Sequence, residues 1–85
     1  MAKKEPFKTD KPLYDYSIIY DYSKLPDELK QLILELESYD ESGDWYHYDI
    51  ILDELDITSK SYWRMGIITE YDYKIILRKY GWIYD

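Results

Sequence analysis

Apolar residues fall along this chain in two rhythms. In "LYDYSIIYDYS", Leu13 to Ser23, residues Tyr14, Tyr16, Ile18, Tyr20 and Tyr22 take alternate positions with Asp15, Ser17 and Asp21 between them. That is the period of an extended segment. From Pro26 onward the rhythm changes to steps of three and four: Leu29, Leu32, Ile33, Leu36 and Tyr39 trace one face of a helix expected over 26–41 and ending near Gly43. Pro26 suits the first helical position, and Asp27 and Glu28 favour the positive end of the helix.

Asp44 is placed to cap a second helix, expected over 45–65, in which Trp45, Tyr48, Leu52, Leu55 and Tyr62 form the stripe and Ile51 widens it. Its weak point is "DITS", Asp56 to Ser59, whose β-branched and self-bonding side chains are expected to kink or fray the helix. Gly66 then offers left-handed freedom, with Ile67 to close the terminus by an apolar contact. A third helix is expected over 70–80. Thr69 and Asp72 approximate a capping box, Ile68 and Tyr73 a hydrophobic staple, and Gly81 with Trp82 a second glycine-plus-apolar stop. Arg78 and Lys79 complement the dipole in the last turn, and Tyr73, Ile76, Leu77 and Tyr80 make the stripe.

The predicted class is therefore all-α: a compact three-helix unit, antiparallel because its connections are short, with an extended aromatic N-terminal arm. Leu32, Leu36, Leu52, Leu55, Ile76 and Leu77 are expected in the core. A lone strand leaves backbone groups unpaired on both edges. The arm must pack along the bundle, pair with its copy, or join another protein's sheet edge. Packing is favoured because it hides apolar surface without a partner.

Composition narrows this picture. Eighty-five residues make one domain near the lower size limit for a self-sufficient core. Residues 1–12 carry four lysines against Glu5 and Asp10, a net +2, and are expected as a flexible basic tail. Residues 13–85 then form a single helical domain that includes the arm, 13–23. With no cysteine in the chain, packing rather than a disulfide or thiolate site must supply stability. The first residues do not resemble a signal peptide and no apolar run approaches a membrane span, so a soluble, cytoplasmic protein is expected. Twelve tyrosines and three tryptophans exceed what a small core buries, which brings aromatic side chains to the surface, where they serve as binding anchors or as a half-wet core rim.

Candidate chemistry is sparse. His47 is the single histidine and has no nucleophile or metal partner near it in sequence, so it reads as a polar residue at a helix start rather than a catalytic base. A calcium loop counted from Asp40 fails at its sixth and twelfth positions, occupied by Trp45 and Ile51. Asp49 and Asp53 lie one helical turn apart and suit either a divalent ion or a solvated face, the commoner case. The glycines stand singly at helix ends, so no phosphate loop is present. No catalytic residue, cofactor or metal site is expected.

Charge distribution is more informative. Between Lys30 and Lys60 lie nine carboxylates, Glu35, Glu37, Asp40, Glu41, Asp44, Asp49, Asp53, Glu54 and Asp56, with no lysine or arginine among them. From Lys60 to Gly81 the balance reverses to +3. A negative field disfavours direct nucleic-acid binding and favours association with basic proteins, although it also keeps a small protein soluble. On the sharper reading, these nine carboxylates imitate nucleic-acid phosphates in the basic groove of a nuclease or DNA-binding protein, with Trp45, Tyr46 and Tyr48 as aromatic anchors.

The layout "LPDELKQLILELE", "DWYHYDIILDEL", "GIITEYDYKIILRKYG", residues 25 to 81, resembles that of short uncharacterised proteins carried on phages and mobile elements of Gram-positive bacteria. In size and acidity the chain is also similar to anti-CRISPR and anti-restriction inhibitors. The layout carries no functional signature; the similarity in size and acidity puts inhibition of a nucleic-acid-binding protein among the functions to test and assigns no residue. The expected function is a non-enzymatic protein-binding module of this kind. Its alternative is a small homo-oligomeric assembly or scaffold protein in which the arm and helix faces build a homodimer.

Overall fold

The structure, a computed structural model, describes residues 12–83. The expected tail lies almost entirely outside the described residues. Helix α1 spans Asp27–Ser42, α2 Trp45–Arg64 and α3 Glu70–Gly81. No strand occurs among the described residues.

Each boundary has a local cause. Pro26 is extended and stands just outside α1 rather than at its first helical position; its carbonyl accepts the first helical bond, from the Lys30 N–H. Gly43 ends α1 in the left-handed region, where the N–H groups of Gly43 and Asp44 return to the carbonyls of Asp40 and Tyr39. The Asp44 carboxylate caps α2 by accepting from the His47 N–H. Gly66, at φ +78, ends α2 with the same pair of returning bonds, to Trp63 from its own N–H and to Tyr62 from that of Ile67. The apolar closure differs from expectation: Ile67 is exposed, and Ile68 turns into the core instead. Thr69 and Asp72 complete a reciprocal capping box on α3.

Two further expectations are corrected. Helix α2 runs unbroken through Asp56–Ser59. Ser59 is fully buried there, and its hydroxyl donates back to the Leu55 carbonyl at 2.6 Å, so the polar group that should compete with the helix is satisfied within it. At the end of α3, Gly81 remains helical while Trp82 takes the left-handed conformation, φ 56. A bulky residue holds that geometry only when neighbours fix it. The Trp82 indole N–H donates to the Leu13 carbonyl at 3.0 Å, and the Ile83 N–H returns to Leu77.

Helix α2 is central and packs antiparallel against both neighbours. Tyr39 stacks on His47 while the Tyr62 hydroxyl reaches Glu28, so the end of α1 meets the start of α2 and the reverse. The Tyr48 hydroxyl donates to the Tyr80 carbonyl while Trp63 stacks on Tyr73, which orders α2 and α3 in the same way. The core comprises Leu25, Leu29, Ile33, Leu36, Tyr48, Leu55, Ile68, Ile76 and Tyr80, with Leu77 also buried. Leu32 and Leu52 are only half-buried and pack on its edge.

The arm lies along the bundle and ties α1 to α3. The Asp15 N–H donates to the Lys79 carbonyl at 2.7 Å, and Lys79 Nζ returns to the Ile18 carbonyl at 2.5 Å. Tyr14 packs against the Tyr80 ring, and the Tyr20 hydroxyl reaches Asp72. On the other side, the Tyr22 hydroxyl donates to Glu37, while the Leu13 N–H and Tyr16 hydroxyl donate to Asp40. Tyr16, Tyr20 and Tyr22 thus act as hydroxyl tethers to helical carboxylates while Tyr14 packs by its ring, and the arm N–H groups of Leu13, Asp15 and Ile18 are bonded within the chain.

Candidate functional site

The twelve residues expected on one partner-binding face divide by environment. Four of the acids serve the fold. The Glu37 carboxylate accepts from Tyr22 at 3.2 Å and from Tyr80 at 3.0 Å, joining arm, α1 and α3 at one group. Asp40 holds the start of the arm. Asp44 caps α2 and pairs with the His47 ring at 2.6 Å; the His47 backbone N–H holds its carboxyl below the usual range, with burial acting in the opposite direction. Asp56 accepts from the Tyr73 hydroxyl at 2.9 Å. All four are half-buried. Tyr48, expected as an anchor, is only 3% exposed and donates to the Tyr80 carbonyl, so it belongs to the core and not to any contact face.

The remaining five, Glu35 and Glu41 on α1 and Asp49, Asp53 and Glu54 on α2, are exposed. None makes an ion pair or hydrogen bond among the described residues, where the ion pairs are Lys30–Asp27, His47–Asp44 and Lys74–Glu70. On α2 with Asp49, Asp53 and Glu54, Trp45 and Tyr46 are 42% and 49% exposed and meet edge to face. The surface set is therefore smaller than the sequence suggested. It is centred on the outward side of α2.

Two residues on that side were missed. Ile50 and Ile57 are exposed, Ile57 by 70%. With Tyr46 they recur at steps of four and seven on the side opposite Tyr48, Leu55 and Ser59. The signal was present in the sequence as isoleucines lying off the buried stripe, a second apolar period superimposed on the first. The tethering roles of Glu37 and Asp40 had no such signal, because their partners lie between 15 and 43 residues away.

The geometry offers little for chemistry. Among the described residues no three or more His, Asp or Glu side chains converge on a metal position, and Asp49 and Asp53 share their face with exposed apolar groups rather than with further ligands. The surface hollows, such as those lined by Lys60, Ser61 and Arg64 or by Tyr71, Lys74 and Arg78, are open to solvent. Among the described residues no helix is long and apolar enough to cross a membrane. Comparison with family models, with curated proteins and with solved structures finds no match.

Proposed function

We propose that this protein is a non-enzymatic binding module that occupies a basic surface on another protein, of the kind that ordinarily holds nucleic acid, and so acts as an inhibitor of that partner. One observation carries the reading: the acids that the fold does not use, Glu35, Glu41, Asp49, Asp53 and Glu54, are exposed without a counter-charge, and the last three share α2 with exposed Trp45, Tyr46 and Ile50. Like charges one helical turn apart, as at Asp49 and Asp53, repel and cost helix stability. Aromatic and aliphatic groups beside them lose contact with water only when a partner covers them. Charge supplies fast encounter and the apolar groups slow release.

The test is a capture experiment from the native cell with the wild type and the Asp49→Asn/Asp53→Asn/Glu54→Gln variant, followed by association kinetics on the captured protein. The wild type should recover a basic protein at low salt, with an association rate that falls steeply as salt rises. The amide variant should associate at least tenfold more slowly and with a flatter salt dependence, while Trp45→Ala should dissociate faster. Equal association rates for wild type and amide variant across salt would reduce the acidic face to a solubilising one.

A further inference from the structure

The outward side of α2 is polar at neither end in the same way. Tyr46, Ile50, Asp53, Ile57, Lys60 and Arg64 follow one another at steps of four and three, so they stay on one line along the helix; all are exposed except half-buried Lys60. Steps of four and three are the seam spacing of two helices packed side by side. The single acid of this line, Asp53, and Asp49 beside it occupy the N-terminal half, and the bases Lys60 and Arg64 the C-terminal half. Neither Lys60 nor Arg64 takes part in the ion pairs within the described residues.

Such a helix is complementary to itself when reversed. We infer that α2 packs antiparallel against α2 of a second copy of this chain, in a two-fold dimer centred near residue 55. Antiparallel pairing about that point sets Tyr46 of one copy over Arg64 of the other, a cation–π geometry. Lys60 falls between Asp49 and Asp53 of the second copy. Ile57 lies opposite Asp53 of the second copy, about 6 Å along the axis from its own equivalent, and Ile50 about 4.5 Å along the axis from the second copy's Ile57, so the four isoleucines form a row across the centre with the Asp53 carboxylates beside them and within reach of Lys60. A parallel pairing would instead stack acid on acid and base on base, which charge repulsion disfavours. A partner of one sign would satisfy only half of the line; a second copy satisfies both halves. The contact spans a helix about 30 Å long and lies near the lower size limit of specific interfaces, at about 1,000 Å² in total, which fits a reversible dimer.

The dimer also covers Asp49 and Asp53, so a basic partner would bind by displacing the second copy. That consequence rests on the partner-binding reading above; the dimer itself does not. The protein would be stored with its acidic face closed.

Light scattering after size exclusion tests the dimer directly. At low salt the wild type should give twice the mass of one chain and shift toward one chain as salt rises. Lys60→Glu/Arg64→Glu and Asp49→Lys/Asp53→Lys should each be monomeric with unchanged circular dichroism, since these side chains lie outside the core. An equal mixture of the two variants should restore the double mass. The chain has no cysteine, so a single introduced thiol reports the crossing: positions 57, on the seam, lie about 6 Å apart along the axis in the two copies and positions 46 about 27 Å. A short bifunctional thiol reagent should link Ile57→Cys and leave Tyr46→Cys unlinked. A wild type that stays monomeric at about 1 mM, charge-reversed variants that stay dimeric, or linking at both positions would overturn the inference. A dimer that captures no basic protein removes the partner reading and leaves this one standing; a monomer that captures one does the reverse.

Discussion

Neutralising acids from the two halves of the acidic block should have opposite effects on stability. Asp40 accepts from the Leu13 N–H at 2.6 Å and from the Tyr16 hydroxyl, and is half-buried. A hydrogen bond to a charged group contributes about 1.5–3 kcal/mol when sheltered. Here solvent reaches the group and Tyr16 is exposed, so both bonds together are taken at about 1–2 kcal/mol. Asp40→Ala should cost that amount and should release the start of the arm. The Asp49→Asn/Asp53→Asn/Glu54→Gln variant removes no described contact and relieves one repulsive pair spaced i, i+4, so it should be neutral or stabilising by about 0.2–0.5 kcal/mol. Urea unfolding followed by circular dichroism measures both differences, and amide hydrogen exchange at residues 13–18 reports the arm. Equal destabilisation by the two variants would refute the division of the acids into tethers and contact residues, as would a loss below about 0.5 kcal/mol for Asp40→Ala.

Three other outcomes follow from the packing. Leu36→Ala and Leu55→Ala, at fully buried positions, should each cost about 2–5 kcal/mol in the same unfolding assay, with smaller losses at half-buried Leu32 and Leu52; equal losses at all four would place the core elsewhere. Gly66→Ala should cost about 1 kcal/mol, entirely through its backbone, because no atom lies within 4 Å of the added Cβ while φ is +78; a stabilising result would mean α2 does not stop there. Alkaline unfolding should be cooperative: burial pushes the Tyr14 hydroxyl up to about 12 and raises Tyr20, Tyr48 and Tyr80 as well. A raised folded-state value means that this stability is complete below the unfolded tyrosine value of about 10 and is lost as pH rises through the folded one. Ionisation of these four hydroxyls, followed residue by residue by NMR, should therefore coincide with loss of helical circular dichroism above about pH 10; ionisation of these four near pH 10 with the helix signal intact would contradict their burial.

The sequence by itself determined the helices. Their signals are local: a carboxylate three residues before the N–H it accepts from at Asp44, the reciprocal pair at Thr69 and Asp72, and left-handed glycines at Gly43 and Gly66. Each acts within one turn of backbone, so spacing along the chain is nearly the same as spacing in space. Where a local rule met a competing local solution, at buried Ser59 and at the α3 terminus, reading by residue type went astray, because a hydroxyl can bond its own helix and a distant carbonyl can hold Trp82 in a conformation that glycine next door was expected to take. Only the tertiary structure decided what the charges and tyrosines do. An exposed acid and an acid that receives two tyrosine hydroxyls can be identical letters: Glu35 and Glu37 differ only in which way each points from α1 once that helix has docked on α2, α3 and the arm. That rotation is set by burial of Leu36, Leu55 and Ile76 together, a property of three helices at once. It left five acids of the block and the two α2 isoleucines Ile50 and Ile57 outside, and set the other four acids to arm tethers, a helix cap and a bond to α3.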